Sequence, residues 1–315
     1  MHKPLTALAA LALLTACAAP APTAAPAPAA APAPVEVSNC GAVYTYAEPP
    51  RRIVTSSTVA TEVVLALGLK DRLAGTVAAT DIMSEYAADL TGVKVISESA
   101  FPPPSKEVVY AAAPDLVVSG YPDDYGPKAL GDRAVLQKEG VNSHLLSASC
   151  PGGTAAVEQT YDDLRALGRI FGVPDRAEQL VATLKAEVDA VTPVTPALRV
   201  FDYAGGKDKP LTSGATTLVY DLARRAGGQN IFPETTEFGQ VSWEELVKRD
   251  PQVIIVEDQV FEPADESIEW MRSYAPIKDV TAVKENRFVV VPVNDLQPGL
   301  RSGRALKALA EGFAR

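Results

Sequence analysis

The chain has 315 residues, 47% of them hydrophobic, so it is long enough for two ordinary domains and excludes a wholly disordered protein. Its formal net charge of −10 argues against a nucleic-acid partner, because phosphate binding needs a basic face. A small ligand remains open, since a pocket can differ in sign from the surface around it.

Residues 1–16 open with a short polar start containing Lys3, run apolar from Leu5 to Leu14 and end in small residues. That is the layout of a secretory signal peptide, too short to be a spanning helix. Leu14-Thr15-Ala16-Cys17 resembles the lipobox of bacterial lipoproteins. The resemblance implies cleavage before Cys17 and lipidation of that cysteine with more than one acyl chain. An ordinary cleavage site that happens to precede a cysteine is the bland alternative. Residues 17–37 then make up the lipidated cysteine and an Ala/Pro-rich tether, which favours polyproline II and cannot build a core. At roughly 3.1 Å per residue the tether reaches on the order of 50 Å. The expected location is therefore extracytoplasmic, anchored by lipid to the periplasmic or outer face of the cell membrane. With Cys17 lipidated, Cys40 and Cys150 remain, an even number in an oxidising compartment, and a Cys40–Cys150 disulfide is expected. Two unpaired buried thiols are the other reading.

The remainder reads as α/β written twice, with lobes at 38–174 and 193–315. Arg52-Ile53-Val54 starts a strand, and STVATEVVLALGL reads as a helix with Thr58 as N-cap and Gly68 as its stop. Leu116-Val117-Val118 lacks any alternation, as expected of a parallel strand buried on both faces. Residues 175–192 read as a long interlobe helix. Asp175 and Glu178 make a capping-box-like start; Ala177, Leu180, Val181, Leu184, Val188 and Val191 fall on one face; Pro193 and Pro196 stop it. Beyond it, Arg199-Val200-Phe201, Val253–Val256 and Phe288–Val291 read as further strands, and the paired glycines at 205–206 and 227–228 as turns.

One pattern occurs once in each half: Ser-x-Glu, six residues, Pro, one residue, then a run of Leu, Val or Ile, at 105–118 and again at 242–255. Ser105 and Ser242 suit N-caps, Glu107 and Glu244 suit the first turn, and Pro114 and Pro251 end the helix. By itself the repeat specifies only a short helix before a buried strand, once per lobe.

Residues 49–77 (PPRRIVTSSTVATEVVLALGLKDRLAGTV), with 104–118, 226–232, 241–256 and the PGLR ending at Arg301, resemble in order the substrate-binding proteins of ABC importers for cobalamin and ferric siderophores. The resemblance covers nearly the whole mature chain. It implies two Rossmann-like α/β lobes joined by one long helix, with a ligand cleft between them. It also implies that Glu107 and Glu244 dock on arginines of a permease dimer, and that the protein is a monomer. The Asn39-Cys40-Gly41 and Cys150 segments look like an actinobacterial-type branch, whose proposed ligands include iron complexes and a deazaflavin precursor.

In parallel sheets, ligands sit beyond the carboxyl ends of strands. The expected ligand-binding residues are therefore Ser57, Thr58, Tyr121, Tyr203, Trp243 and the loop from Asp295 to Arg301, above all Asp295 and Arg301, with the aromatics offering flat surface and Arg301 a partner for an anionic group. No resident cofactor or metal is expected. His2 leaves with the signal peptide, and a single remaining imidazole, His144, does not make a transition-metal site. Haem stays open as cargo, with Tyr121 or His144 as axial ligand. An enzyme built on Cys150 and His144 is not expected, because the chain carries no hydrolase, P-loop or dinucleotide fingerprint. A lipoprotein that senses or stores its ligand without a transporter is the further alternative.

Overall fold

The computed structural model describes residues 33–315; the expected signal peptide, Cys17 and the expected tether up to residue 32 lie outside them. Strands β1 (Val35–Asn39) and β2 (Ala42–Tyr46) form an antiparallel hairpin. Its first strand begins inside the expected tether, which therefore does not extend to residue 37. The reason is visible in the side chains: buried Val37 and Asn39 alternate with exposed Glu36 and Ser38, the period of a half-buried strand. Cys40 and Gly41 make the turn, both with positive φ. The Cys40–Cys150 disulfide ties this hairpin to the far end of the first lobe, closing a separation of 110 residues.

That lobe continues as β3 (Ile53–Ser56), α1 (Thr58–Ala66), β4 (Leu73–Val77), α2 (Ser84–Ala87), β5 (Val95–Ser97), α3 (Lys106–Tyr110), β6 (Leu116–Ser119), α4 (Arg133–Lys138) and β7 (Asn142–Leu145). Its sheet is five-stranded and parallel, in the order β5-β4-β3-β6-β7. Two helices follow, α5 (Val157–Phe171) and α6 (Pro174–Asp189), turning on Gly172 at φ +71°. The second lobe holds β8 (Leu198–Tyr203), β9 (Leu211–Ser213), α7 (Leu218–Arg225), β10 (Gly228–Asn230), β11 (Phe238–Gln240), α8 (Trp243–Arg249), β12 (Val253–Asp258), α9 (Ala264–Ser273), α10 (Thr281–Lys284), β13 (Phe288–Pro292) and α11 (Ser302–Phe313). Its parallel sheet runs β10-β8-β12-β13, with β9 and β11 as a separate antiparallel pair. Gly228, expected in a turn, instead opens β10, where any side chain would collide with Phe313 and Val200.

Residues along one strand alternate between two cores. Leu116 and Val118 enter one cluster while Val117 enters another; Val253 and Ile255 face one way, Ile254 and Val256 the other. Both faces of each sheet are covered, which is why these strands carry no polar alternation. One of the clusters is shared, because it joins Val64 and Leu116 of the first lobe, Leu164 and Val181 of α5 and α6, and Val200, Ile255 and Leu309 of the second. The other two belong to single lobes.

The expected interlobe helix forms as α6, which at 16 residues spans about 24 Å. Near its start, Arg176 Nε donates to Ala66 O of α1 at 2.5 Å; near its end, Glu187 lies against Gly303 of α11. It thus reaches from one lobe to the other. Its expected capping box is absent: Pro174 takes the first turn, no side chain caps it, and Glu178 accepts from Arg165 Nε of α5 at 2.8 Å. Helix α1 is likewise capped one residue earlier than expected, by Ser57, whose Oγ accepts from Ala60 N at 3.1 Å. The Thr58 hydroxyl donates instead to the carbonyls of Ala78 and Thr80.

Candidate ligand cleft

Each parallel sheet has a point where the chain reverses its direction of strand addition. In the first lobe this lies between β3 and β6, and Gly120 follows β6 so tightly that a Cβ there would sit 2.7 Å from Ser57 Oγ. The close approach leaves Tyr121, the next residue, beyond the carboxyl ends of the strands, where open α/β sheets bind ligands. In the second lobe the reversal lies between β8 and β12, but it is filled by the protein itself. Glu262 accepts from Tyr203 Oη at 2.5 Å and from Gly206 N at 2.9 Å, while Gln259 Nε2 donates to Ala204 O at 2.9 Å.

A cleft of about 360 Å³ opens between the lobes. The first lobe contributes Gly120-Tyr121-Pro122 and the segment around the disulfide at Cys150; the second contributes the start of α7, Glu237-Phe238 and Leu296-Gln297-Pro298. A larger groove of about 980 Å³ runs between α6, α11 and α2. It lies along the helix that joins the lobes rather than beyond the carboxyl ends of the strands, so the smaller cleft is the better candidate for a ligand.

The expected ligand residues divide sharply. Tyr121 lines the cleft, half-buried, with Phe101 edge-on at 4.9 Å between ring centroids. Burial, then Asp124, pushes its phenol pKa upward. Ser57 and Thr58 are buried in helix capping and loop anchoring. Tyr203 is buried under Glu262. Trp243 is buried in an aromatic cluster with Trp270, Tyr274 and Tyr203, its indole N–H donating to Lys207 O at 2.8 Å. Arg301 is saturated inside the protein. Its Nη2 meets Glu62 Oε1 at 2.5 Å, its Nη1 lies 3.1 Å from both Asp81 Oδ2 and Asp295 Oδ1, and Asp295 also accepts from Arg304. Arg301 therefore joins the lobes and has no N–H left to offer a ligand anion; only Tyr121 of the seven lines the cleft. Gln297, within the expected Asp295–Arg301 loop, does line it, whereas Glu237 and Phe238 escaped sequence reasoning because they lie at the start of a short edge strand. The loop after β13 was the one available signal.

His144, an axial-ligand candidate, is fully buried, with Nε2 2.8 Å from Asp163 Oδ1. Asp124, behind Tyr121, is buried and bonded to Ser119; burial raises its pKa to about 6. Asp202 and Glu257, on neighbouring strands, are both buried, and burial raises both pKa values, with Asp202 adding to the rise in Glu257. The two repeat glutamates differ from all of these. Glu107 and Glu244 are exposed in the first turns of α3 and α8, one per lobe, and neither makes a salt bridge among the described residues. Glu107 is held below the usual carboxylate range by the Ser105 hydroxyl and then by its own backbone N–H. Ser242 caps α8 as expected, accepting from Glu245 N at 3.2 Å, whereas Ser105 makes no such cap on α3.

Comparison with known proteins gives the same picture. The chain is 26% identical over 225 residues to a vitamin B12-binding protein of Salmonella choleraesuis, covering 68% of this chain and 74% of that one. It is 24% identical over 271 residues to the uncharacterized ABC transporter substrate-binding lipoprotein YvrC of Bacillus subtilis, covering 83% and 78%. The crystal structure of a periplasmic binding protein from Veillonella parvula superposes with a TM-score of 0.78 at 28% identity, covering 89% of this chain and 97% of that one. An ABC-type Fe3+-hydroxamate transport structure from Saccharomonospora viridis gives 0.76 at 24% identity, covering 90% and 100%. The profile of the family described as periplasmic binding protein matches residues 53–294, and the chain belongs to that family of extracytoplasmic binding proteins, which are not enzymes.

Proposed function

We propose that the protein is the lipid-anchored substrate-binding component of an ABC importer. It captures a ferric siderophore, cobalamin or similar large complex between its lobes and delivers it to a dimeric permease through Glu107 and Glu244. The observation that carries this reading is the interlobe cleft at the carboxyl ends of the strands, lined by an aromatic from each lobe, half-buried Tyr121 and exposed Phe238. The B12-binding and ABC-transporter relatives support it. One exposed, unpaired glutamate on each lobe suits a two-fold partner, where such charges set encounter rate and register more than affinity. Haem is the weaker cargo: His144 is committed to Asp163, and burial keeps the Tyr121 phenol protonated.

Two measurements test the reading. A thermal-shift panel on residues 33–315, which keep β1 whole, with ferric siderophores, cobalamin, haem and bare metal ions should give a shift with a complex and none with the metals. Saturation at a hundredfold above Kd adds about 2.7 kcal/mol. Glu107→Lys with Glu244→Lys should then abolish uptake in cells that depend on the protein while leaving binding intact. Unchanged uptake removes docking through these residues, uptake that is the same in cells lacking the protein favours a transporter-independent sensor, and a shift with a deazaflavin precursor alone redirects the ligand assignment.

A further inference from the structure

The charge lining the cleft bears on which complexes it accepts. Among the described residues that line it, none is Arg, Lys or His, and its carboxylate is Glu237, exposed and without an ion-pair partner. A further acid, buried Asp124, stands behind Tyr121, bonded to the same Ser119 that contacts the Tyr121 backbone. Lys207 and Lys209 belong to the turn before β9 and do not line the cleft. Of the two arginines bonded to Asp295 in the loop after β13, Arg301 is consumed by Glu62, Asp81 and Asp295, and Arg304 is paired with Asp295; neither lines the cleft. Among the described residues, the positive feature at the cleft is the start of α7, where Leu218 and Val219 line it. A helix start is equivalent to about half a charge, against a full unit on Glu237.

The walls are flat and apolar as well as electronegative. Tyr121, braced by Phe101, comes from one lobe; Phe238, half of its surface exposed, comes from the other. Rings presented this way hold a ligand by face and edge contact and attract cations to their faces. A polyanionic ligand entering here would lose hydration without gaining a cationic partner, which is costly.

We infer that the cleft selects neutral or cationic complexes with an apolar or planar face, such as ferric hydroxamates or amide-decorated corrinoids. It discriminates against polyanionic complexes such as ferric catecholates, with Glu237 as the specificity-determining residue. This selection rests on the importer reading above and narrows its ligand class. Glu237 acts at the rim, so its influence is a screened Coulomb effect. One unit charge about 7 Å away in water changes affinity roughly threefold, and its reversal roughly sevenfold.

The test measures Kd by intrinsic fluorescence quenching at low ionic strength, for the wild type, Glu237→Gln and Glu237→Lys. The probes are a cationic ferric trihydroxamate, cyanocobalamin as a neutral corrinoid, and a ferric tris-catecholate. The expected result is binding of at least one of the first two and no detectable catecholate binding by the wild type. Glu237→Lys should weaken the cationic complex roughly sevenfold and leave cyanocobalamin within about twofold. Wild-type binding of the catecholate as tight as that of the other probes, or a cationic Kd indifferent to Glu237→Lys, overturns the inference and leaves the importer reading standing. Binding of none of the three removes this inference together with the ligand class on which it rests.

Discussion

Replacing Arg301 by Met should destabilise the protein more than most single substitutions. The guanidinium is 1% exposed and Glu62 is fully buried. Nε meets Glu62 Oε2 at 2.9 Å and Nη2 meets Oε1 at 2.5 Å, so the pair is bidentate and joins α1 of one lobe to the start of α11 in the other. Burial works to lower the Arg301 pKa, but the hydrogen bonds and charges of Glu62 and its neighbours raise it overall, keeping the cation. Met leaves Glu62 a buried carboxylate with only the Met83 N–H, at 2.8 Å, to satisfy it. Removing one partner of a buried pair costs about 3–5 kcal/mol. At about 2–4 °C per kcal/mol, melting of residues 33–315 should fall by roughly 6–20 °C. Asp295 keeps Arg304, so the loss concentrates on Glu62. The double variant Glu62→Met with Arg301→Met removes both charges and should recover all but about 1–2 kcal/mol, the cost of leaving the Met83 N–H without its acceptor. Urea denaturation of the wild type, both single variants and the double variant completes the cycle. A single-variant cost below about 1 kcal/mol, or a double variant as unstable as the sum of the singles, would refute a buried interlobe pair.

Trp243→Ala should cost about 3–5 kcal/mol by denaturation, since it empties an aromatic cluster, yet leave the Kd of any captured complex within about threefold; a selective loss of binding with stability intact would place Trp243 in the cleft instead. Reducing the Cys40–Cys150 bridge, which closes 110 residues, should lower stability by up to about 4–5 kcal/mol, measured by melting with and without reductant. For Asp124 the folded pKa is raised from 3.8 to about 6 by burial. Its contribution is therefore fully present below about pH 4 and lost as pH rises through about 6, worth about 3 kcal/mol. Wild-type stability relative to Asp124→Asn should rise by that order between pH 7 and pH 4; a difference that stays flat across the window sinks the assignment.

The duplicated α/β body, its strands and the helix between the lobes were legible because each rests on short-range pattern. Unbroken Leu116-Val117-Val118 and Val253–Val256 follow from sheets covered on both faces, and Gly68 stops α1 with φ at +77°. The family resemblance was legible for the same reason, being carried by ordered local motifs. The cap of α1 slipped by a residue, the expected caps of α3 and α6 did not form, and α5 and the N-terminal hairpin went unassigned. Their determinants include Gln159 closing onto Ala156 and Tyr46 burying against a core assembled from distant segments.

The ligand site was less legible, and Arg301 shows why. An arginine after a strand reads as a free cation, but its meaning depends on Glu62, 239 residues away, and on Asp81, 220 away. Tyr203, likewise at a strand end, is covered by Glu262 from another loop. Sequence order specifies which side chains reach the ends of strands, because that follows from the repeat of each element. Which of them stay open to a ligand depends on where the buried charges and hydroxyls find partners, and those partners come together only in the folded chain.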